Sequence, residues 1–191
     1  MTFEQVLPGR LARWVAAEPN WEHVYAEQFP HVLNFFRYRL GDTAEVEDLT
    51  ARTFEKAWRA RHRYRRDIAG FSTWLLTIAR NVAIDQLRAR QRVEPLEFAA
   101  GVPASDDTPE QLAVAHSNAE RLAALLATLP PRQRELIAMK YGADMTNRAI
   151  ARATGLSESN VGTILHRAVE SLRGRWQGTN EQGWLAPRVT K

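Results

Sequence analysis

Apolar side chains recur at helical spacing along most of the chain. Tyr25, Phe29, Val32, Leu33 and Phe36 form one stripe, which ends near Gly41. Val46, Leu49, Phe54, Ala57 and Trp58 form a second, beginning at about Ala44, and Phe71, Trp74, Leu75, Ile78 and Val82 form a third. The pattern then breaks. Residues 93–108 read VEPLEFAAGVPASDDT, with two prolines, a glycine and small or acidic residues, the composition of a flexible linker. Thr108-Pro109-Glu110-Gln111 supplies an N-cap, a proline at the first helical position and a capping-box glutamine, so helix resumes there. Leu122, Leu125, Leu126 and Leu129 follow, then the break at Pro130-Pro131, then Leu136, Ile137 and Met139 up to Gly142. No stretch shows the period-two alternation of a strand over a convincing length. The pattern predicts an all-α protein of two small helical domains: an extension over 1–20, a first domain over 21–92, a linker over 93–108, a second domain over 109–176 and a tail over 177–191.

The last part of the second domain is the most specific. Between Thr146 and Arg173 the sequence TNRAIARATGLSESNVGTILHRAVESLR has the spacing of a helix-turn-helix. Ala151 is small where two helices cross, Gly155 allows a sharp turn, and Val161 faces back onto the first helix. Ser157 caps the second helix, and Val161, Leu165, Ala168 and Leu172 give it one apolar face. The opposite face is left for a major groove. Glycine-joined helix pairs also serve as plain structural elements, so this segment alone leaves both readings open.

Composition removes several classes of function. Apolar residues make up 45% of the chain, enough for a folded core, and cysteine is absent, which excludes disulfides and thiolate metal sites. The five histidines are scattered without metal-ligand spacing. No nucleophile beside a base and no glycine-rich phosphate loop is visible, so the chain is not expected to be an enzyme or to carry a cofactor or metal. Its apolar runs are shorter than the roughly 20 residues of a membrane span, and no cleavable signal is apparent, so a cytoplasmic protein is expected.

The formal net charge of +4 conceals strong segregation. Nine arginines stand against two aspartates between Arg59 and Arg92, while Asp42, Glu45, Glu47 and Asp48 precede them as an acidic cluster. Aromatic residues are interleaved with the arginines, which suits a polyanion with accessible bases. On the third stripe's flank, Asn81, Asp85 and Arg88 fall at i, i+4 and i+7 and project together. They form either a nucleotide-reading row or a local Asp85–Arg88 pair.

Three runs, GDTAEVEDLTARTFEKAW, FSTWLLTIARNVAIDQLRARQR and LPPRQRELIAMKYGADMTNRAIARATGLSESNVGTILHRAVESLR, resemble the extracytoplasmic-function group of sigma-70-type transcription initiation factors. The likeness covers residues 21–92 and 110–176. It implies a factor that directs core RNA polymerase to promoter DNA, opening the minus-ten element and binding the minus-thirty-five element. By that resemblance Glu45, Glu47, Asp48, Leu49 and Arg52 dock on the clamp helices of the largest polymerase subunit, and the second domain meets the flap of the second-largest. Arg63, Tyr64, Arg65, Arg66, Phe71, Arg80, Asn81, Asp85 and Arg88 match the minus-ten region. Arg148, Arg152, Ser157, Ser159, Asn160, Thr163, His166 and Arg167 match the minus-thirty-five reader. An anti-sigma factor commonly partners such relatives.

The sequence departs from many relatives in one place. Gly162-Thr163-Ile164 stands where they carry Lys-Ser-Arg, removing two cations and implying a different or weaker upstream contact. Two other readings remain: a stand-alone helix-turn-helix regulator, which would need only residues 130–175 and no polymerase, and an interaction protein of the same fold without DNA binding.

Overall fold

The computed structural model describes residues 21–41, 43–93 and 109–183. The extension, most of the predicted linker including the Thr108 cap, and the tail's Trp184 lie outside the described residues. All regular structure among the described residues is helical.

Helix α1 spans Trp21–Leu40 and buries Val32, Phe35, Phe36 and Leu40. Arg37 and Arg39 in its last turn suit the negative end of the helix dipole. Gly41, at φ 90°, donates to the Arg37 carbonyl at 2.9 Å and closes the helix in the left-handed conformation that glycine adopts without strain. Pro30 sits mid-helix on the exposed face, where its missing N–H and ring are tolerated against solvent. Helix α2, Glu45–Ala60, carries Glu45, Glu47 and Asp48 at its positive end and buries Val46, Leu49, Phe54 and Ala57. A 3₁₀ turn at Arg61–Arg63 and an arginine-rich loop lead into α3, Phe71–Val93.

In the second unit α4 spans Pro109–Ala127 and α5 spans Pro131–Ile137, with a proline in its first turn. A π turn, Ala138–Gly142, continues α5 and is closed by Ala143 N–H donating to the Ala138 carbonyl at 3.0 Å. Helices α6, Asn147–Thr154, and α7, Glu158–Gly183, form the crossed pair. The Arg121 guanidinium of α4 lies 4.0 Å from the centroid of the Trp176 ring and bonds its carbonyl, fastening α4 to α7.

Several apolar positions differ from the expected stripes. Phe35, Leu76 and Ala79 are fully buried although they belong to none of them, whereas Tyr25 and Trp58 are 46% exposed. The reason is a contact that periodicity within one unit does not encode. Helix α1 packs against the π turn and α3 against α6, so both helices bury a second face across the boundary between the units. One hydrophobic cluster therefore runs from Val32 of α1 to Ala168 of α7. The two helical units expected from the sequence share a core.

This shared core has a measurable consequence. Phe35→Ala should destabilise the chain by about 3–5 kcal/mol in urea denaturation, the cost of emptying a fully enclosed aromatic site. A loss below 1 kcal/mol would show that the second face of α1 is not buried in solution.

Candidate nucleic-acid interface

The crossed pair is built by local hydrogen bonds. Thr146 caps α6, its hydroxyl oxygen accepting from Ala149 N–H at 3.2 Å. Gly155 turns the chain at φ 72° and donates to the Ala151 carbonyl at 2.9 Å; a Cβ there would meet nothing within 4 Å, so conformation rather than crowding requires glycine. The Ser157 hydroxyl accepts from Asn160 N–H at 3.2 Å and caps α7. Val161, Leu165 and Ala168 are buried, which turns Ser159, Asn160, Thr163, His166 and Arg167 outward. Arg148 and Arg152 are exposed on α6. Ser157 is exposed as well, with its oxygen engaged as a cap, and the Thr163 hydroxyl donates back to the Ser159 carbonyl at 3.1 Å.

The unusual triplet divides into two kinds of position. Ile164 packs against the core, so it contributes to folding where a cation would reach outward. A Cβ on Gly162 would lie at ordinary contact distance, 3.8 Å, from Asn147 Nδ2, and packing does not force glycine there.

In the first unit the loop between α2 and α3 rests on a cluster of aromatic rings in edge-on and tilted contact. Tyr64 meets Phe71 edge-on at 5.4 Å and Trp74 at 5.2 Å, and Phe71 meets Trp21, which in turn meets Trp58. Burial of the Tyr64 ring raises its phenol above the ordinary value. Tyr64 and Phe71 thus form the floor of the loop. Arg65 grips Asp67 through two bonds, at 2.9 and 2.8 Å, which fixes the turn. Arg63 and Arg66 project into solvent, as does Ile68, 62% exposed at the loop's tip. Sequence reasoning missed Ile68, and its lone apolar side chain within a charged loop was the available signal.

On α3, Asn81, Asp85 and Arg88 are all exposed. Asp85 approaches Lys56 of α2 at 3.8 Å, so this carboxylate pairs across to α2 and not with Arg88. Arg80 departs from expectation. Its Nε donates to Glu135 of α5 at 2.8 Å, and the side chain is 22% exposed, so in this conformation it faces the second unit.

The acidic face of α2 is narrower than its sequence suggests. Glu47, Asp48 and Arg52 are exposed, but Leu49 is a core residue at 1% exposure. Glu45 is turned sideways: Arg90 and Gln86 of α3 donate to its Oε2 at 2.6 and 2.8 Å. The bond from Arg90, opposed by partial burial, holds the Glu45 carboxyl below its ordinary value. It clasps the start of α2 to the far part of α3. Among the described residues no acidic or histidine cluster is placed to hold a metal ion, and no helix is long and apolar enough to cross a membrane.

A capped helix-turn-helix with a polar outer face, beside a second helical unit bearing a cationic loop and an acidic helix, defines a two-part helical protein of the helix-turn-helix class. Residues 24–93 match the model of Sigma-70 region 2, and residues 119–172 match that of Sigma-70 region 4. The chain is 31% identical over 156 residues to the ECF RNA polymerase sigma factor RpoE of Cereibacter sphaeroides, covering 80% of this chain and 86% of that one. It is 32% identical over 150 residues to the ECF RNA polymerase sigma factor SigL of Mycobacterium tuberculosis, covering 75% and 82%. In fold it resembles the sigma factor RpoE of Bartonella quintana, solved with the anti-sigma factor NepR, at TM-score 0.69 and 21% identity over 83% of this chain and 97% of that one. It also resembles CnrH, solved with the cytosolic domain of CnrY, at TM-score 0.64 and 20% identity over 88% and 94%. The chain belongs to the extracytoplasmic-function group of sigma-70 factors. It acts with RNA polymerase in transcription initiation and is not a stand-alone regulator.

Glu45 offers a test of its structural role. Because its folded carboxyl is depressed, its contribution is present above pH 4.5, the ordinary value, and is lost as pH falls through the lower folded value. With this half-exposed pair discounted for screening, Glu45→Gln should cost roughly 0.2–1 kcal/mol at pH 7 in urea titrations. The difference from wild type should shrink as the pH is lowered below 4.5.

Proposed function

We propose that the exposed face of α2, acidic at Glu47 and Asp48 and flanked by Arg52, docks on the clamp helices of the largest polymerase subunit. The cationic loop and α3 then open the minus-ten element. In this reading Arg63 and Arg66 track the phosphates, Tyr64 and Phe71 wall the site of an extruded base, and Asn81 and Arg88 line the approach. Extruding a base costs a few kcal/mol of stacking and pairing, so an aromatic floor beside guanidinium groups is the chemistry required. Helix α7 enters the major groove of the minus-thirty-five element with Ser159, Asn160, Thr163, His166 and Arg167, while Arg148 and Arg152 hold phosphates. The second unit also meets the flap of the second-largest subunit.

One observation supports this reading most: each outward row stands on a helix whose opposite face is buried, so the rows are held on rigid supports. A partner of the anti-sigma kind, met in the cytoplasm, completes this reading; the sigma factor RpoE of Bartonella quintana, whose fold this chain shares, is solved with one.

Run-off transcription with core polymerase tests these roles. Asp48→Lys should weaken core binding at least tenfold in a fluorescence titration and leave binding of the isolated chain to duplex DNA unchanged. Asn81→Ala with Arg88→Ala should lower open-complex yield, read by permanganate footprinting, more than upstream duplex protection. Intact opening in that double variant would remove α3 from promoter melting.

A further inference from the structure

A cleft of about 390 Å³ opens between α1, the start of α3 and the segment leading into α6, a volume within the range of small-molecule sites. Of the residues assigned above to DNA or polymerase only Phe71 borders it. Glu27, Gln28 and His31 of α1, at i, i+1 and i+4, line one side, and Asp144 and Met145 of the leading segment line another. These walls are fixed by backbone contacts. A Cβ on Gly142 would lie 2.8 Å from the Asn34 carbonyl oxygen, so the π turn presses on the α1 backbone two residues before Asp144. Just beyond, Met145 N–H donates to the Met139 carbonyl at 3.0 Å, and Lys140 Nζ donates to the Met145 carbonyl at 3.3 Å. Asp144 stands between these ties at φ 51°.

An acceptor without a donor and an excess of negative charge give the cleft its chemistry. Gln28, on its wall, is 6% exposed, and the side-chain Oε1 is enclosed with no hydrogen-bond partner. Such a group is costly to bury, and a ligand that brings an N–H to it relieves the cost. Glu27 and Asp144 are exposed carboxylates, whereas no lysine or arginine is among the described residues lining the cleft, in a chain that has 26 of them. The first turn of α3 adds only about half a positive charge at one edge, less than the two carboxylates supply. The occupant is therefore a cation. Glu27, His31 and Asp144 do not gather into a group able to hold a metal ion, so the positive charge has to arrive at separate points. Phe71 and Met145 offer apolar surface to methylene groups joining those points. Ammonium groups linked by methylenes make an aliphatic polyamine.

We propose that this cleft binds a short aliphatic polyamine, with one ammonium group on Glu27 and the Gln28 carbonyl and another on Asp144. The ligand joins three segments distant in sequence, so occupancy stabilises the folded chain. None of this depends on the promoter contacts assigned above.

Spermidine is the probe, titrated calorimetrically into the full-length chain without DNA at near-physiological ionic strength. It should bind at one site per chain with an affinity of about millimolar or tighter. At about ten times the dissociation constant the thermal midpoint should rise by about 3–6 °C. Glu27→Gln and Asp144→Asn should each weaken binding about fivefold, since each removes a charge-assisted hydrogen bond. Gln28→Leu should weaken binding several-fold yet leave the free chain at least as stable, because it removes the enclosed acceptor. Glu55→Gln, at an exposed carboxylate outside the cleft, should bind as wild type does. Helical circular dichroism identifies the variants that fold. Absence of saturable binding, wild-type affinity in the folded Glu27→Gln/Asp144→Asn double variant, or an equal midpoint rise from magnesium chloride or n-butylamine at matched ionic strength overturns the site.

Discussion

The approach of the π turn to α1 sets the arrangement of everything around it. With a side chain at Gly142 the Asn34 carbonyl would be displaced, α1 would stand off from α5, and the apolar faces bearing Phe35 and Met139 would open to water. With glycine there, α1 serves as the common wall of both units, and two helical clusters too small to bury much surface separately form one continuous core. The positions of the cationic loop, the acidic helix and the crossed pair in this conformation follow from that contact.

The boundary is unusual in what it encloses. Most interfaces between units of one chain exclude unpaired charge, because desolvating an ion is costly unless close partners replace water. Here several guanidinium groups gather where one carboxylate is available to bond two of them directly. Arginine tolerates such crowding better than lysine, since its charge is delocalised, weakly hydrated and deliverable in a fixed plane to a carboxylate or a backbone carbonyl. The same properties suit phosphate recognition. The buried cations thus remain fit for a different anion.

The helices and their order were legible in the amino-acid pattern, as were the glycine turn, the serine cap and the outward row of α7, because each depends on spacing within about ten residues. The shared core was not. Phe35 lies one position from an expected stripe residue, and only α5 and the π turn, a hundred residues further along, explain its burial. Leu49 and Glu45 fell within a motif read as a surface, yet one turns into the core and the other reaches α3; neighbours on a helix point about 100° apart, so a contiguous acidic run cannot all face one partner. Arg80 was read from its helix alone, and its partner Glu135 belongs to the other unit. The run Arg134-Glu135-Leu136-Ile137, polar and apolar together in a helix of seven residues, was the one local hint that charge would be enclosed.

The π turn also fixes the length of the chain at one point. A π turn accommodates one residue more than the α turn it replaces, and each residue of an α-helix advances the winding by about 100° and 1.5 Å. Losing a single residue between Ala138 and Gly142 would relax this stretch into ordinary α-helix and carry the glycine away from Asn34. The segments beyond it, including the crossed helix pair, would be re-aimed relative to α1. Residue count therefore matters in this stretch alongside the glycine itself: the segment acts as a spacer that aims the crossed helix pair.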